Sequence, residues 1–187
     1  MTPTGEIDRP AAIRLALRDL VADRGFHGAS MSDVARRARV AVGTAYVHYE
    51  SKEELVYATY LEVKREMSAE VLSRVDLTAE PKERFVQLWV AMYRHFRQEP
   101  ARAKFLSQLE ESPFHAEAHR RLEEVGDPIL EQAAASDLRE LLVDLPFEVI
   151  YAFTLGIAIK LVASEIDLGD RQIELVAHSS WRAVTVE

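Results

Sequence analysis

Cysteine is absent from this 187-residue chain. That excludes disulfides, thiolate metal sites and thiol redox switches, and it suits a reducing compartment. Glycine and proline are scarce, at seven each, so collagen-like and turn-rich low-complexity folds are excluded too. No run of eighteen apolar residues and no charged-then-apolar leader occurs. Neither a membrane span nor a secretion signal is therefore expected, nor any membrane partner. Alternating β-branched runs are missing as well, and apolar residues recur instead at three- and four-residue spacing. The fold class that follows is all-α.

The net charge of −8 is unevenly divided. Residues 1–65 carry ten Lys/Arg against nine Asp/Glu, a balance of +1, and residues 66–187 carry thirteen against twenty-two, a balance of −9. An acidic half behind a near-neutral head orients the approach to a polyanion, and few basic side chains imply a moderate salt dependence. The plain alternative is an acidic protein with no polyanion to meet.

What is present concentrates between Gly25 and Leu55, GFHGASMSDVARRARVAVGTAYVHYESKEEL. Gly25 is placed to end a first helix, with Phe26 folding back on its last turn. Ser30-Met31-Ser32-Asp33 reads as a capping box, opening a helix over 31–38 with Val34, Ala35 and Ala38 on one face. A break at Arg39-Val40-Ala41 precedes a short helix over 42–49, and Ser51-Lys52-Glu53-Glu54 is a second capping box. Two short helices joined by a three- or four-residue turn have the geometry of a helix-turn-helix, whose second helix enters the major groove of DNA.

This pattern, GF…S-M-x-D-V-A-x-x-A-x-V-x-x-G-T-x-Y-x-H-Y-x-S-K-E-E-L, resembles the DNA-binding domain of TetR-family (tetracycline-repressor-like) bacterial regulators over roughly residues 8–65. Beyond residue 65 only length and helical layout resemble the family. The resemblance implies a cytoplasmic bacterial regulator, with a DNA-binding domain over 1–65 and a ligand-binding and dimerisation domain over 66–187, linked by a long fourth helix (about 52–72). It also implies DNA contacts from Ser30, Met31, Ser32, Val42, Gly43, Thr44, Tyr46, His48 and Lys52. Thr44 and Tyr46 carry hydroxyls for phosphate oxygens, and Lys52 sits in a first helical turn that attracts anions. Gly43 matters by absence, letting backbone approach the duplex. Tyr49 reads as a core aromatic, and Arg36 and Arg37 as a solvated face. Two residues depart from the family. Arg39 stands where glycine is usual and a left-handed backbone is expected, at a cost of about 1 kcal/mol. Ala41 stands where serine is usual and leaves the second short helix without a side-chain cap, again about 1 kcal/mol. With Ala41, Val42 and Val47 apolar, base reading leans on thymine methyls and DNA shape.

The remaining chain reads as helices, about nine in all. Pro81, with Thr78 as its cap, opens one to Gln98; others cover 101–110, 113–142 with a weak point at Gly126-Asp127-Pro128, 146–166, and 171–184. The 146–166 helix is apolar around most of its surface and must be buried on several sides. Either it is a central core helix, or with the last helix it forms a dimer face, as the resemblance also implies. The residues for that face are Phe147, Ile150, Leu155, Ala158, Leu161, Val162, Leu175, His178, Trp181 and Arg182. A stripe of Phe85, Trp89, Met92, Tyr93 and Phe96 facing Phe105 and Leu109 reads either as core or as the wall of an apolar cavity, with His119, Tyr151 and Thr154 as polar contacts. By resemblance an inducer binds there, and an apolar or amphipathic effector is expected.

Catalysis finds no support, since phosphate loops and nucleophile elbows are missing. No cofactor is expected. His115 and His119 stand four residues apart on one helical face, a zinc-compatible spacing, but HAEAH lacks the Glu directly after the first His, no cysteine can add a ligand and no Glu has His three residues later, so no metal site is expected. The leading reading is a dimeric, ligand-responsive regulator binding a palindromic operator. The alternative is an all-helical small-molecule-binding or catalytic protein whose helix-turn-helix has lost its DNA function.

Overall fold

Helix α1 (Arg9–Arg24) begins where Asp8 Oδ1 accepts the Ala11 amide at 3.1 Å and stops at Gly25, whose φ of 69° no β-carbon opposes. In this computed structural model, residues 8–134 and 138–186 are described, and among them every regular element is helical. A single 3-10 turn (Phe26–Gly28) leads into α2 (Met31–Arg37) and α3 (Val42–His48). Phe26 packs on Phe105 and Phe114, with ring centroids at 5.8 and 5.1 Å. Thus the head is fastened to the body by aromatic contact.

The 21-residue α4 (Lys52–Leu72) is the spine, about 30 Å long. Its Ser51 hydroxyl accepts the Glu54 amide at 3.2 Å, so half of the second capping box forms. The other half yields to a stronger partner: the Glu54 carboxylate takes a bidentate pair from Arg121, at 2.7 and 2.8 Å.

Around α4 stand α5 (Pro81–Gln98), α6 (Pro100–Glu110), α7 (His115–Val125), α8 (Pro128–Ala134), α9 (Leu138–Leu141), α10 (Phe147–Phe153), α11 (Leu155–Ala163) and α12 (Asp170–Val184). That makes twelve α-helical segments among the described residues rather than nine. Among the described residues, the 113–142 region divides at its Gly-Asp-Pro weak point, its last described segment Leu138–Leu141 is counted apart because residues 135–137 are not described, and the helix expected over 146–166 breaks. At Thr154 the backbone turns to φ −117°, ψ −97°. Its hydroxyl donates to the Ile150 carbonyl at 2.7 Å, and its own carbonyl leaves the helical ladder to accept the Trp89 indole N–H at 3.0 Å. Thr78 does not cap α5: the N-cap is Glu80, and Thr78 donates its amide and hydroxyl to Asp76 instead.

The core is continuous between head and body. Helix α1 packs on α6, α11 lies across α5 and α6, and α12 lies along α5. Arg18, 6% exposed, reaches from α1 to Glu99 at the start of α6 and to Asp19 at 3.2 Å. The α6 register therefore carries directly into the head.

Candidate DNA-reading face and effector cavity

Helix α2 is held by the capping box read from the sequence: the Ser30 hydroxyl accepts the Asp33 amide at 3.1 Å, and the Asp33 carboxylate accepts the Ser30 amide at 3.3 Å. Hydrogen bonds from the Ser30 hydroxyl, then the Arg36 guanidinium and the Ser30 amide, hold the Asp33 carboxyl below the usual carboxylate range. The turn after α2 is a Schellman motif. Val40 N–H donates to the Ala35 carbonyl at 3.0 Å, Arg39 N–H to Arg36 at 3.2 Å, and Arg39 takes φ 58°. Arg39 thus adopts the left-handed backbone for which glycine is better suited. Ala41, the N-cap of α3, supplies no side-chain bond, as its methyl dictates.

Helix α3 buries Ala45 completely and leaves its opposite side open. Val42, Gly43, Tyr46, Val47 and His48 are exposed there, Val47 by 82% and Tyr46 by 49%, with Thr44 half-buried. Ser30 and Ser32 are exposed at the start of α2 beside them. A β-carbon built on Gly43 would meet no protein atom within 4 Å, so nothing in the fold requires glycine there. Two of the expected contact residues lie elsewhere. Met31 is buried in the head core, leaving its backbone amide as the only group at the helix start. The half-buried Lys52 donates to the Phe26 carbonyl, and desolvation lowers its pKa. Tyr49 is inward, as expected, its hydroxyl accepting from Arg14 at 2.6 Å. Arg36 and Arg37 are tied to Asp33, Asp19 and Asp23.

A short α2, a four-residue turn and an α3 with one bare face form a helix-turn-helix. The family profile of the bacterial regulatory proteins, tetR family, matches residues 13–59, and that of the tetracyclin repressor-like C-terminal domain matches 81–185, more than half the chain. The chain belongs to the TetR family. It is a transcriptional regulator with a helix-turn-helix DNA-binding domain, and not an enzyme. Among its relatives is an HTH-type transcriptional regulator of Haemophilus influenzae, 26% identical over 170 residues, covering 88% of this chain and 89% of the relative. Solved TetR-family regulators from Shewanella sp. PV-4 (25% identity, TM-score 0.80, 96% and 99% of the two chains) and Marinobacter aquaeolei VT8 (23% identity, TM-score 0.81, 96% of each) share the fold. No described helix of this TetR-family chain is long and apolar enough to cross a membrane.

In the body, an apolar cavity of about 150 Å³ opens between the end of α4, α5, α8–α9 and α10. Phe85, Tyr151 and Thr154 line it, but Trp89, Met92, Tyr93, Phe96, Phe105 and Leu109 do not: all six are fully buried core. Tyr93 and Trp89 also spend their polar atoms on structure, the Tyr93 hydroxyl on Ile166 and Leu168 and the Trp89 indole on Thr154. His119 sits elsewhere, on α7, its ring stacked on Tyr60. More of the wall comes from Leu72 at the end of α4 and Val75 and Leu77 beyond it, from Leu88 and Ile129, and from Phe147, Ile150 and Leu155, which the sequence reading gave to the dimer face. The signal for Leu72, Val75 and Leu77 was available as apolar residues continuing past the last turn of α4. Burial raises the Tyr151 hydroxyl pKa, keeping it a neutral donor.

The expected dimer residues divide similarly. Leu175 (61% exposed) borders an open apolar groove between α10–α11 and α12, which Phe153 (48%), not among the residues expected there, lines with Ile157, Val176, Ser179 and Ala183. Leu161 and His178 are half-buried, and Arg182 is exposed with its guanidinium on Ser179. Ala158 and Val162 instead face inward, and Trp181 packs edge-on against Phe85 at 5.4 Å.

Proposed function

We propose that this regulator is a dimeric, ligand-responsive repressor that acts in the cytoplasm and reads a palindromic operator by laying α3 in the major groove. Residues 1–65 would form the DNA-binding domain and residues 66–187 the effector and dimerisation domain, with α4 as the link. The observation that carries the reading is the bare face of α3, where Val42, Gly43, Tyr46 and His48 stand clear of the core. Its chemistry suits thymine methyls and close backbone approach more than bidentate guanine reading. The hydroxyls of Thr44, Tyr46 and Ser30 suit phosphate oxygens. Lys52 and Met31 support the face from behind, their side chains turned into the head rather than towards the DNA.

The exposed groove beside Phe153 and Leu175 supports dimerisation through α10–α12, since a second copy removes that apolar surface from water. Two-fold symmetry then requires a palindrome, with half-sites spaced by about one helical turn or a multiple. The cavity lined by Phe85, Leu88, Ile150 and Tyr151 supports a small apolar or amphipathic effector. Its volume lies below the roughly 300–1,000 Å³ of common ligand sites, so the effector is compact or separates α9 and α10 on entry. Entry that separates these helices would shift the end of α4, whose Leu72 lines the same cavity, and with it the spacing of the two heads. Release follows from tighter effector binding to the spacing that mismatches the operator.

Footprinting on the DNA upstream of the chain's own gene tests this. The expected pattern is two symmetric protected half-sites on one face of the duplex, lost on addition of effector. Protection of one asymmetric site by a monomer would contradict the dimer reading.

A further inference from the structure

We propose that Glu110, His115 and His119 form a three-ligand site for a divalent transition-metal ion of the zinc class, closing the junction between α6 and α7. Glu110 is the last residue of α6 and His115 the first of α7, so the chain reversal between them brings the carboxylate beneath the two imidazoles. Glu110 Oε2 lies 2.9 Å from His115 Nε2, and Oε1 lies 3.3 Å from His119 Nε2. The imidazole centroids are 4.3 Å apart, and one ligand atom from each residue falls within 4.8 Å of the other two.

A tetrahedral zinc ion with bonds of about 2.0–2.1 Å sets its ligand atoms about 3.3 Å apart. The cluster therefore needs only side-chain rotation to accept the ion. Two nitrogens and one carboxylate oxygen favour zinc, cobalt or nickel over calcium or magnesium, which prefer oxygen cages. The His119 ring is positioned in advance by the buried Tyr60 ring, at 5.7 Å and 29°. All three side chains are between 37% and 41% exposed, leaving the fourth position open to water and the ion free to enter.

A bound ion would tie the end of α6 to the first turns of α7 across Phe114. That residue packs on Phe26 of the head and, at 6.4 Å, on Tyr57 of α4. The site thus stiffens the contact by which body and head meet, outside the effector cavity.

Full-length protein stripped with chelator and titrated with cobalt(II), followed by its visible absorption, and with zinc by calorimetry, tests the site. One ion per chain is expected, with a zinc-dependent rise in Tm. Both signals should be lost in His115→Gln and His119→Gln and weakened in Glu110→Gln, whose far-ultraviolet circular dichroism verifies folding. Equal binding by the His115→Gln/His119→Gln double variant, or no stoichiometric binding by the unaltered protein, would overturn the proposal. Should the variants not fold, anomalous scattering at the zinc edge from crystals of the unaltered protein decides it. A peak within bonding distance of both Nε2 atoms supports the site, and a peak elsewhere or none overturns it.

Discussion

Replacing Gly43 by alanine should move stability and DNA affinity in opposite directions. The glycine lies in the first turn of α3, exposed, with no positive φ to preserve and no atom within 4 Å of an added β-carbon. Glycine inside a helix costs about 0.5–1 kcal/mol relative to alanine, and near a helix end the lower figure applies. Gly43→Ala should therefore stabilise the protein by about 0.5 kcal/mol, or about 1–2 °C in Tm for a chain of this size. Against DNA the same methyl is an obstruction. If α3 lies in the groove with its backbone against the duplex, overpacking by one methyl costs about 1–3 kcal/mol. At 1.4 kcal/mol per decade, operator affinity should fall about 5- to 150-fold. Thermal unfolding at fixed protein concentration and fluorescence anisotropy on a labelled operator measure the two effects. A variant that is more stable yet binds equally well would refute the placement of this turn against DNA. A variant less stable than the parent would refute the geometry of α3 itself.

Arg39→Gly should stabilise relative to Arg39→Ala by about 1 kcal/mol in urea unfolding, because alanine keeps the β-carbon that the left-handed backbone opposes; equal stabilities would contradict the Schellman turn. Trp89→Phe should destabilise by about 1–3 kcal/mol by leaving the Thr154 carbonyl without its 3.0 Å donor, and a loss below the error of the measurement would mean that the α10–α11 break has another cause. His95 is 1% exposed, with Nδ1–H donating to Glu70 at 2.8 Å. Desolvation lowers its pKa more than Glu70 raises it, with the Arg102 charge adding to the depression. The unfolded chain therefore binds the proton first, so stability is complete above the unfolded pKa of about 6.5 and declines as pH falls towards the folded value. Unfolding midpoints between pH 7 and 5 should show this slope, and it should flatten in His95→Gln; a parent with no slope would contradict a neutral buried His95.

Some elements were legible because local chemistry decides them. Ser51 and Pro81 set the starts of α4 and α5, and the ends at Leu72 and Gln98 follow from the apolar period running out before polar or proline-bearing stretches. The exposed face of α3 was legible on the same terms, since exposure of Val42, Tyr46 and His48 follows from burial of Ala45 within a two-turn helix. What could not be read depends on distant partners. The break at Thr154 is set by Trp89, sixty-five residues away, and the inward role of Lys52 by the Phe26 carbonyl. An aromatic stripe has the same period whether it lines a cavity or fills a core, so Trp89 and Phe96 could not be separated from Phe85 by spacing. Glu110 joins His115 and His119 only because α6 reverses at Ser112, where the Ser112 hydroxyl donates to the Leu109 carbonyl at 2.7 Å.

The most direct test of the DNA-reading account is anisotropy binding of the purified protein to DNA from upstream of its own gene, with competitor DNA and a salt series, repeated with Tyr46→Phe. The account predicts competitor-resistant binding to a short palindrome, weakened in the variant. It also predicts a shallow salt slope, because each neutralised phosphate contributes about 0.9 to the slope and most basic side chains of the head are tied to internal partners. Weak binding that any DNA competes away, unchanged by Tyr46→Phe, would contradict it.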